Sequence, residues 1–120
     1  MAKDYFQDAL QTFNGGDWYG WKKYDSEGNR IPNNERMSYA NIEIIKEGAT
    51  IPTEAEVNTK IDEIKWEEVR EKRNQLLAET DFYALSDVTM STEMANYRQQ
   101  LRDLPTSTSN PDDIVFPTKP

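Results

Sequence analysis

Carboxylates are the only chemically versatile side chains that this sequence holds in quantity: Asp and Glu number 22 among 120 residues, and there is neither histidine nor cysteine. Without His, the commonest general base near neutral pH and the commonest metal ligand are missing. Without Cys there is no thiolate nucleophile, no disulfide and no cysteine-bound zinc. A carboxylate pair could hydrolyse a glycoside, but no pair here is specified by its spacing, and carboxylates without a defined cleft are surface charge. Asp25-Ser26-Glu27-Gly28-Asn29 approaches a glycine through acids, as calcium loops do. It lacks the alternating ligand order and the closing Glu of such a loop, so it reads as a turn. No catalytic residue, metal or cofactor is expected, and the chain reads as a non-enzyme.

The formal charge of −8 argues against nucleic acid and against anionic membrane surfaces, both of which need clustered Lys and Arg. Arg36, Arg70, Arg73, Arg98 and Arg102 could suggest such a patch. The later ones alternate with Glu67, Glu68, Glu71 and Asp103, the pattern of a solvated, ion-paired face. No apolar run approaches 18 residues and no signal-peptide pattern opens the chain, so a soluble protein not exported by a cleaved signal is expected.

What remains is adhesion. Apolar residues make up 36% of the chain, enough for one modest core, yet aromatics alone reach 11%. Trp18, Tyr19, Trp21 and Tyr24 are too many for one face of a small sheet. At least two should fill the core, and the rest suit an interface, where Trp and Tyr are favoured anchors. Ile114, Val115 and Phe116 sit in a polar tail and need a dock, either on their own chain or as a strand added to another. The expected contact residues are Trp18, Trp21, Tyr24, Ile114, Val115 and Phe116.

These residues need elements to position them. From Lys3 to Phe13, Tyr5, Phe6, Ala9, Leu10 and Phe13 form one helical stripe, stopped by Asn14-Gly15-Gly16. That helix either closes the core or docks on another chain. Asp17 to Tyr24 reads as extended, with a turn at 25–29 and a return from Ile31. Tyr39 to Ile45 is the best strand, with Ile42 and Ile44 on one face. Thr53 and Glu56 form a capping box that opens a run without Gly or Pro as far as Thr80.

Within that run the apolar positions change phase. Val57, Ile61 and Ile64 lie within about 40° of one direction, and Trp66, Val69, Leu76 and Leu77 lie on nearly the opposite side. Either the helix breaks near Lys65 or one rod buries opposite faces at its two ends. A last helix begins near Ser91, with Met94, Tyr97, Leu101 and Leu104 as its stripe and Pro105 as its end. Phe82, Tyr83 and Leu85 should fold between the two helices. Arg73 falls inside the apolar stripe, either paired with Asp81 or Asp87 or partly exposed over its own stem.

The fold expected is α+β and mainly helical: a helical hairpin, a small antiparallel sheet and an extended C-terminal tail. The expected divisions are 1–52 for the amino-terminal helix and β module, 53–104 for the long helix and hairpin, and 105–120 for the docking tail.

The hairpin carries a signature. Trp66, Val69-Arg70, Arg73-Asn74, Leu76-Leu77, Thr80-Asp81-Phe82, Leu85 and Asp87 are followed by Tyr97-Arg98-Gln99, Leu101-Arg102-Asp103-Leu104-Pro105 and Phe116-Pro117. The set, over about 66–120, resembles the bacteriophage tail assembly chaperone-like domain family. The departures are Phe82 and Phe116, where members commonly have Trp. The resemblance implies a structural motif in Trp66, Arg73, Asp81, Asp87, Tyr97, Arg98 and Leu101. It also implies a partner among phage tail or tail-fibre proteins, engaged in the host cytoplasm during assembly. The alternative is a permanent virion component, an adaptor or decoration subunit of the tail or baseplate. Multiple copies in a symmetric assembly are compatible with either.

Overall fold

The computed structural model describes residues 4–85 and 87–120. The chain divides into two units, Met1–Ile61 and Asp62–Pro120. The element order is α1 (Tyr5–Leu10), β1 (Tyr19–Trp21), β2 (Ile42–Ile44), α2 (Glu54–Glu79) and α3 (Thr92–Ser107), with short 3-10 turns between them.

In the first unit, α1 starts where Asp4 accepts the backbone N–H of Gln7 at 3.1 Å, an N-cap. The expected start at Lys3 lies outside the described residues. The helix is shorter than its stripe suggested and stops at Leu10, after which turns return Thr12 N–H to Ala9 and Phe13 N–H to Leu10. Asn14 then takes a positive φ of 51°, the left-handed conformation that Asn tolerates, and its side chain ties down the distant Thr50 backbone.

β1 and β2 pair antiparallel, with Tyr19 opposite Ile44 and Trp21 opposite Ile42. The strand expected from Tyr39 is shorter: Tyr39–Asn41 is a 3-10 turn that brings the Tyr39 hydroxyl to the Pro52 carbonyl at 2.6 Å. Ile42 is buried and Ile44 exposed, so the expected shared face is only half covered. The turn at 25–29 is present, closed by Asp25 N–H on the Asn29 carbonyl and by Gly28 at φ 85°. Asp25 Oδ1 accepts the N–H groups of Glu27 and Asn29, so that carboxylate serves its own backbone. The core of this unit is Ala9, Leu10, Trp18, Ile31, Ile42 and Val57.

α2 opens on the capping box the sequence announced, with Glu56 N–H on Thr53 Oγ1 and Thr53 N–H on Glu56 Oε1. Of the two readings of its changing phase, the continuous rod is correct: 26 residues without a break. Its early apolar residue Val57 is buried in the first unit, and its late ones, Leu76 and Leu77, pack in the second.

In the second unit, Met94, Tyr97, Leu101 and Leu104 of α3 form the buried stripe that heptad-like spacing predicts. Ser91 caps the helix through Met94 N–H at 3.1 Å. Pro105 does not end it. Proline removes one backbone donor, but Thr106 and Ser107 hydroxyls donate to the carbonyls of Asp103 and Leu104, and the helix continues to Ser107. After a further turn at Pro111–Asp113, Ile114 and Phe116 pack back on the hairpin core.

Candidate partner-binding surface

Beside the apolar core, a cluster of hydrogen bonds ties α3 to the end of α2 just before the turn. α2 ends with orphan carbonyls, as every helix does. Arg98, buried on α3, reaches them: its Nη1 donates to the Leu77 carbonyl at 2.9 Å and to Thr80 Oγ1 at 2.7 Å, and its Nη2 donates to Asp81 Oδ1 at 3.0 Å. Thr80 is wholly buried and donates its own hydroxyl to the Leu77 carbonyl. A guanidinium at a helix carboxyl end also meets the negative end of the dipole. The motif residues Thr80, Asp81 and Arg98 thus form one knot.

Of the two readings of Arg73, that knot leaves the partly exposed one. Arg73 Nε and Nη2 donate to Asn74 Oδ1 at 3.3 and 3.2 Å, half-exposed on α2, while Asp81 belongs to Arg98. The reason is reach: Arg98 arrives from the facing helix at the level of the turn. Asp87 is exposed and Trp66 half-buried, whereas Tyr97 and Leu101 are core.

The turn Asp81–Ala84 follows directly from the knot. The expectation that Phe82, Tyr83 and Leu85 all fold inward holds for Tyr83 alone. Phe82 is 52% exposed and Leu85, the residue just past the turn, 57%, whereas Tyr83, next to Phe82, is directed to the core. Sequence reading missed these two as surface residues. Their three-residue spacing beside a helix end was the signal that could have separated them from Tyr83.

The tail places its apolar residues by alternation. Ile114 and Phe116 face the hairpin and Val115 is 81% exposed, as an extended chain dictates. Asp112 pairs with Lys65 of α2 at 2.9 Å, and Lys72 Nζ sits 4.3 Å from the Phe116 ring centre, a cation–π contact. Of the two docks considered for this segment, the structure shows the one on its own chain.

In the first unit, Trp18 requires a correction. It is 0% exposed, with its indole N–H donated to the Leu10 carbonyl at 2.7 Å, so it is core and not contact surface. Trp21 is half-buried and stacks on Phe6 with ring centres 6.0 Å apart. Tyr24 is 58% exposed, and Trp21, Lys23, Tyr24 and Ile45 line a shallow open hollow beside β1.

Tyr19 lies between the two tryptophans in edge contacts, its hydroxyl donating to Gln7 Oε1 at 3.2 Å. Burial pushes its phenol above the ordinary 10.0; a hydrogen bond with Gln11 opposes the rise, and the carboxylates of Asp4, Asp17 and Asp8 add to it. The folded state therefore retains the proton longer than the unfolded state. The stability this contributes is complete below pH 10.0 and is lost as pH rises through the folded value. Tyr19→Phe should flatten that alkaline decline in urea midpoints; an identical decline in both proteins would refute the assignment.

Residues 66–120 match the family model described as phage tail assembly chaperone protein. Over this stretch, a little under half of the chain, the hairpin and tail are similar to that family. No curated protein and no solved structure matches the chain. Among the described residues no helix is long and apolar enough to cross a membrane.

Proposed function

We propose that this protein acts without catalysis, holding a phage tail or tail-fibre subunit during assembly in the host cytoplasm and covering an apolar patch on it. The observation that carries this reading is the outward placement of Phe82 and Leu85 in the stretch matched by the family, beside the core of Met94, Tyr97, Leu101 and Leu104. Side chains that a small domain could have buried, held outside by a well-bonded turn, are contact surface. Trp21, Tyr24 and Val115 extend the candidate surface, while Ile114 and Phe116 serve it by fixing the tail in place. The net charge of −8 discourages wrong partners, nucleic acid among them.

The test is the composition of purified particles. A chaperone that leaves should co-purify with a tail subunit from infected cells and be missing from the finished virion by mass spectrometry. A stoichiometric signal in the virion would overturn the transient role in favour of a permanent tail or baseplate component.

A further inference from the structure

We propose that Phe82 and Leu85 form a preformed knob whose occupant is a cationic amphipathic segment of the tail subunit, an apolar side chain flanked by Lys or Arg. This rests on the functional reading above and adds to it the site and the chemistry of the partner.

The knob is small and fixed. Leu85 N–H donates to the Phe82 carbonyl at 3.3 Å, which closes the turn and holds the two backbones close together. The Phe82 ring lies 4.0 Å from that of Tyr83, whose other contacts are with the hairpin core. Beneath the turn stands the Arg98 knot. Two exposed apolar side chains are therefore ordered before any partner arrives, and binding loses little further conformational freedom.

The exposed charges along this stretch are of one sign. Glu79, Asp81 and Asp87 are exposed on either side of the knob. Two arginines of the hairpin are otherwise engaged: Arg98 is turned inward and buried, and Arg73 is bonded to Asn74. One oxygen of Asp81 holds Arg98, yet its side chain remains 67% exposed. An apolar knob rimmed by carboxylates favours a segment with basic flanks and repels an acidic one. Two side chains seat a short segment, not the face of a domain.

The probe is a fluorescein-labelled amphipathic peptide with leucine on one face and lysine on the other, titrated against the full chain by fluorescence anisotropy. Its counterpart carries glutamate in place of lysine. The lysine peptide should bind, with Phe82→Ser/Leu85→Ser weakening it about tenfold or more, as removal of central apolar anchors does. Glu79→Gln/Asp87→Asn should weaken it severalfold, and added salt should do the same. All four positions are exposed, so unchanged helix melting in both variants will show that lost binding is not lost folding. Equal binding of the glutamate peptide, or indifference to Phe82→Ser/Leu85→Ser, overturns the proposal.

Capture from infected cells separates this from the broader reading. If the tagged wild-type chain retains no tail subunit, the functional reading fails and the knob with it. If it retains one and the Phe82→Ser/Leu85→Ser chain retains as much, only the knob fails.

Discussion

Trp18→Ala should remove about 3–5 kcal/mol of stability, the range for deleting a fully buried large aromatic. The residue is 0% exposed and stands among Ala9, Leu10, Ile31, Ile42 and Val57, so truncation leaves a cavity that a small unit has few atoms to refill. It also takes one of two donors from the Leu10 carbonyl, which accepts the indole N–H at 2.7 Å and keeps the Phe13 N–H at 3.1 Å. Trp18→Phe separates that second effect: most of the bulk remains, and the one lost hydrogen bond costs about 0.5–1.5 kcal/mol. Trp21→Ala is the internal comparison, because Trp21 is half-buried and stacked on Phe6. Urea midpoints should therefore fall most for Trp18→Ala, with Trp18→Phe and Trp21→Ala clearly milder. A small natural domain has only about 5–15 kcal/mol in all, so the first variant should leave the amino-terminal unit largely unfolded at modest temperature. Equal midpoints for Trp18→Ala and Trp21→Ala would show that the indole is not where the structure puts it.

The second large effect is expected at Arg98. Arg98→Met keeps an apolar stem in place but withdraws the donors that reach Leu77, Thr80 and Asp81. Charge-assisted hydrogen bonds contribute about 1.5–3 kcal/mol each; the buried Thr80 hydroxyl would lose its donor, while the Leu77 carbonyl would keep the Thr80 N–H and hydroxyl. A total loss of about 2–4 kcal/mol is expected. Asp81→Asn should cost less than about 1 kcal/mol, because that carboxylate is 67% exposed and water replaces what the ion pair supplied. Arg98→Lys should not restore stability, since one ammonium cannot span acceptors that a planar fork meets in parallel. Helix content followed through urea unfolding gives the ranking. If Asp81→Asn proves as damaging as Arg98→Met, the surface ion pair, and not the buried helix end, fastens the hairpin. The same ranking bears on binding, because the knot carries the turn that displays Phe82 and Leu85.

Tyr39 shows why a strand pattern is not a strand. Its run through Ile45 alternates correctly, but β1 offers only a short partner, and the tyrosine hydroxyl finds the Pro52 carbonyl instead. Pro105 makes the complementary point. Its ring rules out one hydrogen bond, and two hydroxyl groups immediately after it make the remaining ones good. Arg73 and Arg98 look alike in the sequence, both cations on apolar stripes. Only the facing helix end distinguishes the one that is bonded into the core from the one left at the surface.

Local rules were sufficient for much of this protein. Capping at Thr53 and Ser91, the left-handed conformation at Asn14, the turn at Asp25–Asn29 and the buried stripe of α3 each depend on residues within a turn or two of one another, and such signals are complete in the sequence. The absence of His and Cys likewise limited the chemistry before any fold was considered. The fate of the large apolar side chains was of another kind. Trp18 inward and Tyr24 outward, Tyr83 in the core and Phe82 beside it in water, Phe116 docked and Val115 exposed: each pair is nearly equivalent in type and in neighbourhood. Burial is a competition for a limited interior among residues distant in the chain, and its outcome exists only once the elements have packed.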